Sequence, residues 1–467
     1  MKKVTLPIIL LASIWVAGCK KGYLDLNENP NQTTNPPING LLTQVISETG
    51  LNTFRAGNIS AYYVQHLSSP NAAGGSDIYD DVDRSTFWYS IYNTIKDGRE
   101  LQRIANQRNA FQHLGVAKLA EAMNLDFLVN FFGDAPYGEA FSITDFTPAY
   151  DRSEDIYAAS LQLTDEAIVE FVRPNPAVRI DAASDLIHGG DMIAWIKTAH
   201  AFKARLLNKI SKRPNYNPGA VLEALSKAYT SNADDAQLSR FTARSPWNSV
   251  AFNNTQLLLD GWLSDQFVDH LDSTTYGVFD PRLRYITDTT RFGDYRGTPN
   301  GRGRNGTGTN REESYLSEKG FYSKGGAPLL LITYSEMKFI EAEVTSNTDK
   351  ARSYAAYLEG IRAHMEKIGV TESERNAYLA SPVVAPGVGL FTRDLIFKEK
   401  YIALFLHPEA WTDARRYDYQ YKDFGLPVNA SLPTFIRRVG YPATENDRNN
   451  ANVPTVGSLA DRLWWDQ

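Results

Sequence analysis

The chain has 467 residues, 43% hydrophobic and 22% charged, with a net charge of −6 at pH 7. That balance excludes a disordered polymer and argues against nucleic acid as a partner. A single cysteine excludes an internal disulfide framework, so a large buried core has to hold the fold.

Lys2 and Lys3 precede an apolar run from Val4 to Val16, interrupted by Pro7. The run is too short to cross a bilayer, which takes roughly 20 apolar residues. Val16, Ala17 and Gly18 then lead into Cys19. Small residues let a peptidase approach the backbone, and the cysteine beyond them supplies a thiol for a lipid. This layout resembles the lipobox of bacterial lipoproteins. Residues 1–18 are accordingly expected to be a signal peptide that is removed, Cys19 the lipidation site, and 19–37 a flexible tether. Two or three acyl chains anchor stably where one is marginal. The body that follows has no second run of spanning length and is expected to sit outside the cytoplasm at a membrane surface.

From residue 38 the apolar spacing is helical. Val116, Ala120, Met123, Phe127 and Phe131 recur at fours and threes within 111–132, one face of a helix. Within 151–171, Ile156, Leu163, Ala167 and Phe171 form a stripe, and Asp151 with Glu154 has the spacing of a capping box. Trp195, Ala199, Phe202, Leu206 and Ile210 form the stripe of 191–211. Residues 213–330 are rich in Gly, Asn, Thr and Pro with little periodicity, and 291–313 (RFGDYRGTPNGRGRNGTGTNREE) reads as loop throughout. A loop this long is functional or mobile, so it is expected to be mobile or to order on binding. Helical character returns at 333–346, 350–368 and 393–406. The last is apolar nearly all round and is expected to be central. The stretch 418–467 is expected to wrap over the surface. Together these predict a mainly α protein: a degenerate helical-repeat scaffold over about 38–212 and 331–416. A loop-rich, ligand-facing part lies at about 213–330, all within one domain, 38–467, with few short strands.

Catalytic and cofactor motifs are missing. Gly301-Arg-Gly303-Arg-Asn-Gly306 fits a dinucleotide fingerprint in letters only, because it follows no strand and opens no helix. No G-x-S-x-G elbow, H-E-x-x-H helix or phosphate loop occurs, and the seven histidines are not at metal-ligand spacing. No catalytic residue, metal or cofactor is expected. His407-Pro408-Glu409 marks the end of a buried helix. Glu409 and Asp413 with Arg415 and Arg416 read as an internal ion-pair network rather than a catalytic carboxylate pair.

The aromatic content, 12%, gives the better lead. A sugar ring lays its apolar face on an aromatic side chain, and Asn, Asp and Arg satisfy its hydroxyls. Two regions offer that mix. Residues 67–84 supply Asn71, Tyr79 and Asp80, and residues 286–325 supply Phe292, Tyr295, Arg296, Asn300 and Tyr315. Trp247 and Trp262 lie nearby in sequence.

Several segments resemble the SusD/RagB family of outer-membrane lipoproteins from Bacteroidetes, in particular its SusD-like, starch-binding subgroup. They are YLDLNENPN (23–31), FFGDAPYGEAF (131–141), PAYDRSEDIY (148–157), DLIHGGD with Trp195 (185–195), FDPRLRY (279–285), DYRGTPNG (294–301), TYSEMKFIEAE (333–343), KEKYIALFLHPEAWTDARR (398–416) and RRVGYP (437–442). The resemblance implies four tetratricopeptide-like helix pairs supporting an irregular ligand-facing half. It also implies a non-catalytic cell-surface protein that captures glycan or peptide and passes it to a SusC-like TonB-dependent transporter. The ligand residues do not carry over, since the matching segments belong to the scaffold. A surface glycoside hydrolase and a scaffold that binds only proteins are the competing expectations.

Overall fold

Long stretches free of Pro, with apolar residues every third or fourth position, gain most by coiling and burying one face. In the computed structural model, which describes residues 36–255, 260–307 and 310–467, they do so in pairs. The signal segment, Cys19 and most of the 19–37 tether lie outside the described residues.

Helix α1 (Ile38–Tyr63) packs on α2 (Ser85–Gln107), and α3 (Phe111–Phe131) on α4 (Ser153–Val172). Helix α5 (Met192–Lys209) pairs with α6 (Pro218–Ser226). A fourth pair, α10 (Tyr334–Thr345) on α11 (Lys350–Ile368), comes after a run of short elements. These are β2 (Ala236–Leu238), α7 (Pro246–Thr255), β3 (Trp262–Leu263), α8 (Asp265–Leu271), α9 (Leu283–Ile286) and β4 (Leu329–Ile332), while β1 (Leu67–Ser68) lies earlier, between α1 and α2. Helices α12 (Glu372–Leu379), α13 (Arg393–Ala403), α14 (Glu409–Arg416) and α15 (Ala443–Arg448) follow. The chain is thus mainly helical, with helix pairs as scaffold. The middle stretch, expected to be loop, carries α6 to α9, β2, β3 and the start of β4. No helix among the described residues is long and apolar enough to cross a membrane.

Helix α3 is buried on nearly every face, not along one stripe, so it is the axis on which the first pairs assemble. Two of its polar residues are matched inside: Asn124 donates to Thr49 Oγ1 at 3.0 Å and accepts from Asn52 at 2.8 Å, and Asp126 pairs with Lys209. The α5 stripe is buried as expected, with the Trp195 indole donating to Asp185 at 2.7 Å. Helix α13 is enclosed from Ile396 to Ala403. It stops at Ala403, because Leu406 takes a left-handed turn (φ 63°) whose carbonyl lies against α1. Only glycine fits opposite it: a Cβ on Gly57 would stand 2.3 Å from that oxygen.

Two expectations need correction. Asp151 does not cap α4; its carboxylate accepts from the amides of Tyr137 and Gly138, at 2.7 and 2.8 Å, holding the loop before the helix. The C-terminal stretch does not merely wrap the surface. Trp465 and Asp466 are fully buried, the indole donating to the Val129 carbonyl at 3.3 Å. Asp466 accepts from Lys212 and Arg437 at 3.0 and 2.5 Å. The Pro and Asn content predicted irregular backbone correctly, but two tryptophans at the end supplied apolar area worth burying.

Candidate functional site

The irregular part is stitched together around Leu263. Strand β3 lies antiparallel to β1, Leu67 opposite Leu263 and Ser68 opposite Trp262. Leu263 also donates to the Ser314 carbonyl (3.0 Å) and accepts from Thr298 (2.8 Å). Loops 67–84 and 286–325, which the sequence offered separately, are therefore brought to one floor.

Asp77 fastens the first loop to the second. Its carboxylate accepts from the Asn300 side chain and from the Gly301 amide (2.5 Å), while Asn300 also donates to the Leu67 carbonyl at 2.9 Å. Burial pushes the Asp77 carboxyl up, to about 6, against the pull of those donors. The backbone of Val428 closes over Gly301, whose φ is +82°; a Cβ there would meet the Val428 carbonyl at 1.9 Å. Close packing of loops accounts for Gly301 and Gly303, where the sequence suggested a flexible loop.

The stretch 291–313 is tied at both edges. Arg291 donates its amide to the Arg311 carbonyl (2.9 Å) and pairs with Glu312 (2.7 Å), and Arg311 pairs with Asp288 (3.0 Å). In its described residues, the stretch expected to be mobile or to order on binding is held to its neighbours by these contacts.

Burial sorts the candidates. Tyr79 is fully enclosed, its hydroxyl on the Tyr63 carbonyl at 3.3 Å. Trp247 packs edge-on against Phe54 at 4.8 Å, and the Trp262 indole donates to Asn254 at 3.0 Å. Asn300 is the buried clamp described above. These four side chains hold the floor and do not meet solvent, a correction to the sequence reading: aromatic and amide content marks loop anchors as readily as ligand contacts. Asn71 and Asp80 stay exposed; Asn71 accepts from Arg304 at 3.3 Å and Asp80 from Ser431.

The other candidates form a strip. Phe292 is 52% exposed, with the Arg291 and Arg296 guanidinium groups 4.7 and 4.3 Å from its ring centre. Arg296 pairs with Asp294 at 2.7 Å. Tyr295 leans on Phe279 (6.0 Å), and Tyr315 lies under Arg311 (4.8 Å). Phe292 and Tyr315 are thus flanked by guanidinium groups and Tyr295 by a second ring, and Arg291, Arg296 and Arg311 each have a carboxylate partner. Such a surface is locally neutral and offers ring faces beside planar donors and acceptors, which suits an uncharged polyhydroxylated molecule. The sequence did not single out Phe279 or the flanking arginines 291 and 311, and only their place beside known loop candidates would have marked them.

Glu409 and Asp413 are buried, Asp413 against Lys400 (2.8 Å) and Arg416 (2.6 Å). Among the described residues, no group of three His, Cys, Asp or Glu is placed to hold a metal ion. A surface cavity of about 660 Å³ lies along α4, where Lys118 already pairs with Glu166 (3.0 Å).

A family model for SusD-like proteins, described as starch-binding and associating with the outer membrane, matches residues 30–442. Among solved structures, a SusD homologue from Bacteroides fragilis is similar at 22% identity, covering 93% of this chain and 100% of its own (TM-score 0.76). A chitin-binding SusD homologue from Flavobacterium johnsoniae is 18% identical over 92% of this chain and 98% of its own (TM-score 0.76). A SusD/RagB family protein from Bacteroides thetaiotaomicron is 19% identical over 92% and 99% (TM-score 0.73). At these identities the likeness carries the fold. No curated protein matches the chain.

Proposed function

The chain belongs to the SusD-like family of starch-binding, outer-membrane-associated proteins, and from that premise we propose that it captures an oligosaccharide without cleaving it and delivers it to a SusC-like TonB-dependent transporter. Acylated Cys19 and the 19–37 tether keep the body at the outer membrane, facing the cell exterior. The observation that carries the ligand side is the strip of Phe292, Tyr295 and Tyr315, each ring accessible and each beside an arginine or a second ring. Asn71 and Asp80 are exposed on the loop fastened to Asn300 and Gly301 and offer an amide and a carboxylate. A chitin-binding relative of the same fold supports a glycan ligand, and the burial of Glu409 and Asp413 supports the non-catalytic reading.

The test is incubation of the mature protein with starch, glycol chitin, xylan and galactomannan, with a matching panel of peptides. Binding to one glycan with no product release is the expected result. Removing a ring by Tyr295→Ala should weaken that binding about tenfold or more, as loss of a central aromatic contact does. Steady product release would make the protein a hydrolase, and binding to peptides alone would replace the glycan.

A further inference from the structure

The outer side of α2 carries a second aromatic cleft that neither the strip nor the scaffold uses. Its volume is about 280 Å³, and it lies between α2, the loop before α4, and α15. The walls are fixed. Tyr92 donates to the Pro136 carbonyl at 2.6 Å, Tyr150 to Glu445 at 2.9 Å, and the Asn449 amide to the Pro148 carbonyl at 2.9 Å.

The rim is not fixed. Phe146 is 83% exposed and Tyr89 38% exposed. Among the described residues, the side chains of Tyr89, Phe146 and Arg448 enter no hydrogen bond, ion pair or ring contact. A phenol, a phenyl ring and a guanidinium converging unpartnered on a rigid cleft leave apolar area in water and donors unspent. Glu445 and Asp145 add acceptors beside them. Two rings with a guanidinium and two carboxylates can take a sugar's apolar face and its hydroxyls together.

Position supplies the second argument. Helix α15 is joined to the foot of loop 67–84, where the Ala443 amide donates to Asp83 at 3.0 Å. Tyr89 sits just beyond, on the first turns of α2. The cleft therefore lies past one end of the loop whose other part is fastened to Asn300 and Gly301 of the 286–325 segment. We propose that it is a second carbohydrate subsite, for a neutral polysaccharide chain long enough to reach from one surface to the other. This rests on the glycan reading of the strip. Two weak sites on one chain then act by effective concentration, so a long ligand gains affinity that a short one does not.

The experiment is affinity electrophoresis of the mature protein in gels of starch, glycol chitin, xylan and galactomannan. Competition by the disaccharide of the retained polymer accompanies it. The variants are Phe146→Ala/Tyr89→Ala and Arg448→Ala, whose exposed side chains should leave thermal unfolding unchanged. The subsite predicts at least a tenfold loss of polymer affinity in the double variant, with disaccharide competition at the strip unaltered. Full polymer affinity in both variants overturns the subsite and leaves the strip standing. A wild-type chain retarded by none of the four polymers removes the carbohydrate reading of both surfaces.

Discussion

Arg416→Ala is expected to lower the unfolding free energy by about 3–5 kcal/mol, the cost of taking one partner from a buried ion network. Arg416 reaches Glu343 with two nitrogens, Asp413 at 2.6 Å and the Ser211 hydroxyl at 3.0 Å. Lys400 meets Asp413 at 2.8 Å, and Asn208 donates to Glu343 at 3.1 Å. The cluster thus locks α5, α10, α13 and α14 to one another. Burial pushes the Glu343 carboxyl up, but Arg416, Lys400 and Arg393 outweigh it and hold the group near 2. Without Arg416, two buried carboxylates share a smaller positive charge in a medium that solvates neither. Urea unfolding of wild type and variant measures the effect. A loss under about 1 kcal/mol would mean that water or rearrangement replaces the guanidinium.

Acidification below pH 6.5 should destabilise the protein as its buried histidines take up protons on unfolding. Burial holds His66 down at about 3 and His113, His270 and His407 at about 4, and drives His364 down as well. Each sits in a site built for the neutral ring: His364 has Arg282 at 3.3 Å from Nδ1, and His66 accepts the Leu406 amide there. A group depressed in the folded state contributes stability above its unfolded value, near 6.5, and loses it as pH falls toward the folded value. Asp77 and Asp269, raised to about 6 by burial, act in the opposite sense and favour the folded chain on acidification below that point. Burial raises Asp97, Asp126, Asp235 and Asp413 as well, but all seven histidines are lowered and Glu343, Glu399 and Glu409 are held at about 2, so net proton uptake accompanies unfolding between pH 6.5 and 4. Each net proton steepens the fall by about 1.4 kcal/mol per pH unit. Unfolding midpoints from pH 7.5 to 4.5 should therefore drop steadily, and a flat profile would show the rings protonated without penalty.

The scaffold was legible because its physics is local. A stripe such as Trp195, Ala199, Phe202, Leu206 and Ile210 fixes a helix and its buried face within twenty residues, and α5 follows it. The site was only half legible, for a reason the rings themselves show. Tyr79, Trp262 and Tyr315 look alike in sequence, yet the crossing of β1, β3 and the 296–316 segment encloses the first two and leaves the third half-open. That crossing joins residues hundreds apart and leaves no periodic trace. Phe146 and Tyr89 escaped notice for the converse reason. Tyr89 stands in an apolar run, STFWYSIY, that reads as core, and only the course of the loop before α4 leaves its ring in solvent. Trp465 was missed because proline-rich sequence around it describes the backbone and says nothing of what the last side chains reach.

Glycan capture on the strip can be observed directly by hydroxyl-radical footprinting of the mature protein, alone and saturated with the glycan it retains. Capture there predicts that Phe292, Tyr295 and Tyr315 lose reactivity on saturation, while Tyr79 and Trp262, already enclosed, do not change. Phe292, Tyr295 and Tyr315 oxidised as fast in the saturated protein as in the free one would contradict it.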